Sequence, residues 1–136
     1  MLILALDAAL ARCSAALWRD GVVLAERIAP AGRGHAALLP PMAQQVLRGR
    51  PDAVAVTIGP GSFTGLRAAI ALAQGLAAGA GVPVLGVTVA EALREQVGAL
   101  GDRALWVAID SRRGRIFLDR DGSVAPVALE ALPAPA

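Results

Sequence analysis

Residues 53–67 read AVAVTIGPGSFTGLR: an apolar run from Ala53 to Ile58 passes directly into Gly59-Pro60-Gly61-Ser62-Phe63-Thr64-Gly65. A run of that length rich in valine, closed by glycine and proline, predicts a buried strand. Ser62 is placed to cap a helix that continues to about Gly79. Gly81-Val82-Pro83 supplies its stop, Val82 to Val87 the next strand, and Thr88 the cap of a further helix to about Val97. Strand, helix and strand joined by short connections demand a right-handed parallel crossover.

Upstream, Leu2 to Leu6 is an apolar run that delivers Asp7 to a strand end. Ala11 to Trp18 and Val22 to Ile28 predict two more strands around an Arg19-Asp20-Gly21 turn, and so close a spacing makes an antiparallel meander. From His35 to about Arg48, Leu38, Leu39, Met42, Val46 and Leu47 recur at helical spacing. Pro40 and Pro41 place the expected start of that helix near Leu39. The predicted architecture is α/β, a mixed five-stranded sheet with helices on its faces. That is the ribonuclease H-like arrangement, the unit duplicated in actin-like ATPases (the ASKHA fold). Residues 1–100 are expected to form this first domain. Residues 101–136 begin an incomplete second unit: Ala104 to Asp110, an Arg112-Arg113-Gly114 turn, Ile116 to Leu118, an Asp121-Gly122 turn and a frayed tail from Ala131. An isolated hairpin is marginal, so this piece is expected to lean on the first domain or on a partner.

Composition removes several classes of function. The 136 residues are 56% hydrophobic and 18% charged, which excludes global disorder. One cysteine, Cys13, and one histidine, His35, leave no disulfide framework and no multi-histidine metal centre within the chain, so no metal site is expected. All 13 basic residues are arginine, which removes phosphate-gripping and Schiff-base lysines, and a net charge of +2 is too small to point to nucleic acid. Residues 68–90 have the length of a membrane span, but alanine, glycine, Gln74 and Pro83 interrupt it. The opening Met1-Leu2-Ile3-Leu4-Ala5-Leu6 lacks the basic region of a signal peptide. A cytoplasmic protein with no membrane partner is expected.

The 59–65 loop gathers a strand end, glycines and a helix start, and unpaired backbone N–H groups in such a concavity suit an anion. Asp7, Gly59, Gly61, Ser62, Thr64 and Gly65 are therefore candidates for a nucleotide or anion loop. The loop is not a Walker A sequence, because its spacing differs and no lysine follows. Gly59-x-Gly61-x-x-x-Gly65 also departs from the dinucleotide fingerprint. The plainer reading is that the glycines only permit a tight turn.

Val54 to Ala77, VAVTIGPGSFTGLRAAIALAQGLA, closely resembles the signature of the TsaB (YeaZ-type) subunits of the bacterial tRNA threonylcarbamoyladenosine machinery. Ile3 to Asp7, His35 with Leu38-Leu39-Pro40, Val82 to Val87, and Ile109-Asp110-Ser111-Arg112-Arg113-Gly114 match in family order. The resemblance implies an actin-like fold that has lost catalytic power. It implies a scaffold that binds the related catalytic subunit TsaD as a heterodimer, while TsaD moves a threonylcarbamoyl group from its adenylate to an adenosine of tRNA. The small ATPase TsaE is a further implied partner, and tRNA is met only indirectly. No intrinsic cofactor is implied; ATP or ADP and magnesium enter only in the assembled complex. Several residues depart from the family pattern. Ala8-Ala9 replaces the Thr-Ser pair of active relatives, which makes Asp7 a poor manager of magnesium-bound phosphate and favours a structural role for it. Gln74 replaces a lysine, Arg115-Ile116-Phe117 replaces Glu-Val-Tyr, and the short second unit reads as a C-terminal shortening.

Partner binding has a basis in the residues themselves. Phe63, Leu66, Ile70, Ala73 and Ala77 form one apolar stripe, and Ala69, Leu72, Leu76 and Ala80 a second, more than one sheet face can bury. Ala68, Ala71, Gly75 and Ala78 let another helix approach closely. The expected interface comprises His35, Leu39, Met42, Val46, Phe63, Leu66, Arg67, Ile70, Ala73, Gln74 and Ala77, packed as a helical bundle on TsaD or on a second copy in a homodimer. The alternative is an active ATP-dependent phosphotransferase of the same superfamily using Asp7 and the glycine loop. A ribonuclease H-type nuclease ranks lower, since only Asp7 and Asp110 end strands. Cys13, Trp18 and Trp106 are expected in core or interface, and Arg112, Arg113 and Arg115 form a basic turn.

Overall fold

The computed structural model describes residues 1–30 and 34–133, with backbone alone at 35 and 36. Two compact units divide the chain, Met1–Val87 and Thr88–Ala136. The expected boundary lay after residue 100; the helix capped by Thr88 instead belongs with the second unit.

In the first unit β1 (Leu2–Asp7), β2 (Cys13–Arg19) and β3 (Val22–Ala29) form the antiparallel meander. β4 (Ala53–Thr57) runs parallel to β1, and β5 (Val84–Val87) parallel to β4, giving the order β3-β2-β1-β4-β5. Alternation along β1 sends Leu2, Leu4 and Leu6 inward and leaves Ile3, Ala5 and Asp7 half-buried on the other face. The inward set joins Leu17, Val54, Leu39, Val46, Ala69 and Ala73 in one core. Both helices of this unit, α1 (His35–Val46) and α2 (Phe63–Ala80), cover that same face and touch each other.

α1 begins at His35, ahead of the Leu39 start that its prolines predicted, and carries Pro40 and Pro41 inside it. Its first turn closes on the Gly34 carbonyl, which accepts from Ala37 N at 2.9 Å and Leu38 N at 3.3 Å. Each proline forfeits one i→i−4 bond, but its fixed φ near −65° is already helical. Leu39, Met42, Ala43 and Val46 are buried. At about 1.5–3 kcal/mol per large apolar side chain, that burial outweighs two hydrogen bonds worth about 1 kcal/mol each.

α2 starts as its sequence predicts, with Ser62 Oγ accepting from Gly65 N at 3.2 Å. Its C-terminus is closed by Gly81 at φ 66° and by Arg50, whose guanidinium donates to the carbonyls of Ala80 at 2.7 Å and Gly81 at 3.2 Å. Arg48 does the same for α1, donating to the carbonyls of Gln45 at 2.8 Å and Leu47 at 3.1 Å. Neither helix has a basic residue in its own last turn, so the linker arginines answer both C-terminal dipoles.

The second unit holds α3 (Val89–Glu95) and a meander of β6 (Trp106–Asp110), β7 (Arg115–Arg120) and β8 (Ser123–Ala128). β8 contains Pro126, which argues against a strand in sequence; on an outer strand the missing N–H removes no ladder bond. Arg94 on α3 pairs with the buried Asp119 of β7, and Asp119 Oδ1 also accepts from Gly122 N at 3.1 Å. The expected tail beyond 133 lies outside the described residues. Among the described residues no helix is long and apolar enough to cross a membrane.

A reciprocal capping box opens α3. Glu91 accepts from Thr88 N at 2.7 Å and from the Thr88 hydroxyl at 2.8 Å, and the backbone donor, then the hydroxyl, hold its carboxyl below the usual glutamate value. A carboxylate whose folded pKa is lowered contributes stability above its unfolded pKa, and that stability is lost as pH falls through the folded value. Acidification through this window should therefore lower the amide protection factors of α3 selectively, once exchange rates are corrected for their intrinsic pH dependence. The protection factors of α2 should not respond, since Ser62 does not titrate, and Glu91→Gln should flatten the α3 profile. Equal acid sensitivity of both helices would dismiss the capping account.

Candidate functional site

The C-terminal ends of β1 and β4 bring Asp7, Thr57 and the 59–65 loop together. Register places Leu6 beside Val56, so the next residues, Asp7 and Thr57, are neighbours. Asp7 Oδ1 accepts from the Thr57 hydroxyl at 2.6 Å and from Ala9 N at 3.0 Å. The Ala9 carbonyl in turn accepts from Ser62 N at 2.7 Å. A Cβ added to Gly61 would land on the Ala9 carbonyl oxygen, and one added to Gly65 on the Ala8 carbonyl oxygen. Gly59, at φ 114°, starts the loop in a conformation that side chains avoid.

This geometry supports the close-packed reading of the glycines. Gly61 and Gly65 let the loop lie directly on the Ala8–Ala9 turn. Two donors that an anion would need are committed within the protein, Ser62 N to Ala9 O and Gly65 N to Ser62 Oγ. Asp7 is likewise engaged inside this turn, through Thr57 and Ala9 N. Thr64 is exposed, and Phe63 is 73% exposed with the Arg67 guanidinium 5.1 Å from its ring centroid. Thr57, the hydroxyl partner of Asp7, was not among the sequence candidates; only the parallel register reveals it.

The expected interface residues separate by burial. Leu39, Met42, Val46, Ala73 and Ala77 are buried in the chain's own core and are not available to a partner in this fold. Leu66 and Ile70 are half-buried, while Phe63, Arg67 and Gln74 are exposed. The two apolar stripes of α2 are the flanks of one broad inward face: Gly65, Ala69, Ala73 and Ala77 run down its middle, and Ile70, Leu72 and Leu76 pack at its sides. The outward line of α2 is Phe63, Arg67, Ala71, Gln74, Gly75 and Ala78. His35 opens α1, and its side chain lies outside the described residues.

Elsewhere, Cys13 is buried with its Sγ 3.9 Å from Met42 Sδ; burial first, then the nearby Asp7 charge, pushes its thiol pKa up. Trp18 and Trp106 are half-buried, and Arg112, Arg113 and Arg115 are exposed at the β6–β7 turn, as expected of a solvated turn. A shallow cavity of about 200 Å³ lies in the second unit against Asp110, Arg115 and Leu129, below the usual size of a ligand pocket. Among the described residues no three of His, Cys, Asp and Glu gather into a group that could hold a metal ion.

Residues 26–131 match the family model described as TsaD: tRNA N6-adenosine threonylcarbamoyltransferase. A solved structure, YeaZ from Pseudomonas aeruginosa, superposes with a TM-score of 0.78 at 31% identity, covering 99% of this chain and 70% of that one. The chain belongs to the TsaB/YeaZ-type family. The tRNA threonylcarbamoyladenosine biosynthesis protein TsaB of Escherichia coli K12 is 42% identical over 128 residues, 86% of this chain and 53% of that protein. The TsaB of Haemophilus influenzae is 33% identical over 126 residues, 87% and 52% of the two chains. The chain thus spans about half the length of the curated relatives it matches. Its mixed five-stranded sheet is the ribonuclease H-like, ASKHA-type fold expected of a TsaB/YeaZ-type member.

Proposed function

We propose that this chain serves tRNA threonylcarbamoyladenosine biosynthesis as a non-catalytic subunit, holding a TsaD-type catalytic subunit on the outward line of α2. The observation that carries the reading is that line itself: an exposed phenylalanine and a run of small residues on a helix whose inward face is already satisfied, in a chain of this family. TsaE joins the assembly, tRNA is reached only through it, and ATP or ADP with magnesium is bound there rather than by the 59–65 loop. The cytoplasm is the setting. A second copy on the same face of α2 is the competing occupant.

The internal commitments of Asp7 and of the loop donors weigh against the phosphotransferase alternative. Titration of the chain alone with ATP and magnesium distinguishes the two readings, together with capture of co-expressed TsaD. Capture of TsaD and no nucleotide binding by the isolated chain are expected. Micromolar, magnesium-dependent ATP binding without TsaD would favour the phosphotransferase.

A further inference from the structure

We infer that Arg67 selects the occupant of α2: a TsaD-type subunit that sets an acidic side chain opposite its guanidinium, rather than a second copy of this chain. The inference rests on the reading of α2 as the docking face and adds to it the chemistry of what docks there.

Arg67 is the one charged residue of α2, and α1 contains no Asp, Glu, Arg or Lys. It is exposed on the outward line between Phe63 and Ala71, so a helix packed along that line must cover it. Among the described residues the ion pairs are those of the Met1 amine with Asp20 and of Arg94 with Asp119, so Arg67 has no carboxylate of its own. Its guanidinium rests over the Phe63 ring, 5.1 Å from the centroid. Stacking engages the face of the guanidinium and leaves its in-plane N–H fork for a second partner. The pair thus presents an apolar ring beside an oriented donor, with less side-chain freedom to lose on binding. A carboxylate meets that fork with two parallel hydrogen bonds, whereas covering the cation without a counter-charge is strongly unfavourable.

A second copy has no such group on this side. The acidic residues of the first unit are Asp7, Asp20, Glu26 and Asp52. Asp7 is engaged by Thr57 and Ala9 N, Asp20 by the Met1 amine, and Asp52 by Leu2 N. Arg27 of β3 reaches α1, donating from Nε to Gln45 Oε1 at 3.2 Å, so its strand neighbour Glu26 points to the sheet face away from the helices. The helix side therefore carries Arg27, Arg48, Arg50 and Arg67 without a carboxylate among them. Docking of a copy through the same face covers both Arg67 side chains uncompensated. A partner helix with small residues and one carboxylate satisfies the whole line, by close approach at Ala71, Gly75 and Ala78 and by neutralisation at Arg67.

Dissociation constants for TsaD, measured with the folded chain and its variants, test this. Arg67→Gln removes the charge and should weaken capture about tenfold or more, and Arg67→Glu about a hundredfold. Arg67→Lys keeps the charge but not the fork, and should fall between the original chain and Arg67→Gln. Self-association, followed by sedimentation, should not weaken in Arg67→Gln, because no counter-charge is lost between copies. Unchanged TsaD affinity in Arg67→Gln, alongside loss of capture in Ala71→Arg, overturns the inference and leaves α2 as the docking face. Self-association that weakens in Arg67→Gln as much as TsaD capture does also overturns it, since the copy would then be supplying the carboxylate. Full-affinity capture by both Ala71→Arg and Arg67→Gln removes the docking face itself, and the inference with it.

Discussion

Gly65→Ala should destabilise the protein by about 2–3 kcal/mol, while Gly75→Ala on the same helix should stabilise it by about 0.5–1 kcal/mol. The residue type and the change are identical; the surroundings are not. A Cβ on Gly65 meets the carbonyl oxygen of Ala8, a backbone atom that cannot swing aside like a side chain. That carbonyl belongs to a turn held by Asp7 to Ala9 N and by Ala9 O to Ser62 N, so relief requires moving the β1–β2 connection against both bonds. Gly75 has nothing within 4 Å of its added Cβ and lies exposed in the helix interior, where alanine only lowers the entropy lost on folding. Against a typical total stability of about 5–15 kcal/mol, the first change should lower the urea midpoint visibly and the second should raise it. Effects of the same sign would show that the 59–65 loop does not rest on the Ala8–Ala9 turn.

The same pair of glycines shows what the sequence made legible. Strand and helix order in the first unit follows from local pattern: alternation in β1, the Asp20-Gly21 turn, Ser62 and Thr88 as caps, and proline or glycine at each stop. Parallel pairing follows from the short crossover. What local pattern cannot supply is the distance from a residue to a segment remote in the chain. Asp7 and Thr57 are fifty positions apart and meet only through strand register. That Gly61 and Gly65 pack on the carbonyls of Ala8 and Ala9 is likewise invisible in the sequence, where the loop reads as an anion cradle or as a tight turn. In sequence, Ala73 and Ala77 read as a partner's contacts because small residues allow close approach. They do allow it, but the surface approached is the chain's own sheet. In α1 a local rule, that prolines start helices, lost to the tertiary burial of Leu39 and Met42.

Arginine at Ala71 should abolish capture of TsaD, weakening it at least ~100-fold, while moving the stability of the isolated chain by less than about 0.5 kcal/mol. Ala71 is exposed on the outward line of α2, so the isolated fold tolerates a long cation there. A partner helix packed closely on Ala71, Gly75 and Ala78 does not, because the guanidinium would be both oversized and desolvated without a counter-charge. Phe63→Ala should act in the same direction, about 30-fold, since a 73% exposed ring adds little to the free fold and is the one large apolar anchor of the surface. Ala73→Arg supplies the contrast: Ala73 is fully buried in the core, so that chain should fail to fold before any partner is offered. Binding and stability are thus predicted to separate along one helix, with outward positions affecting only the first and inward positions the second. Full-affinity capture of TsaD by folded A71R and F63A chains would remove α2 from the interface and leave the family assignment standing without this mode of assembly.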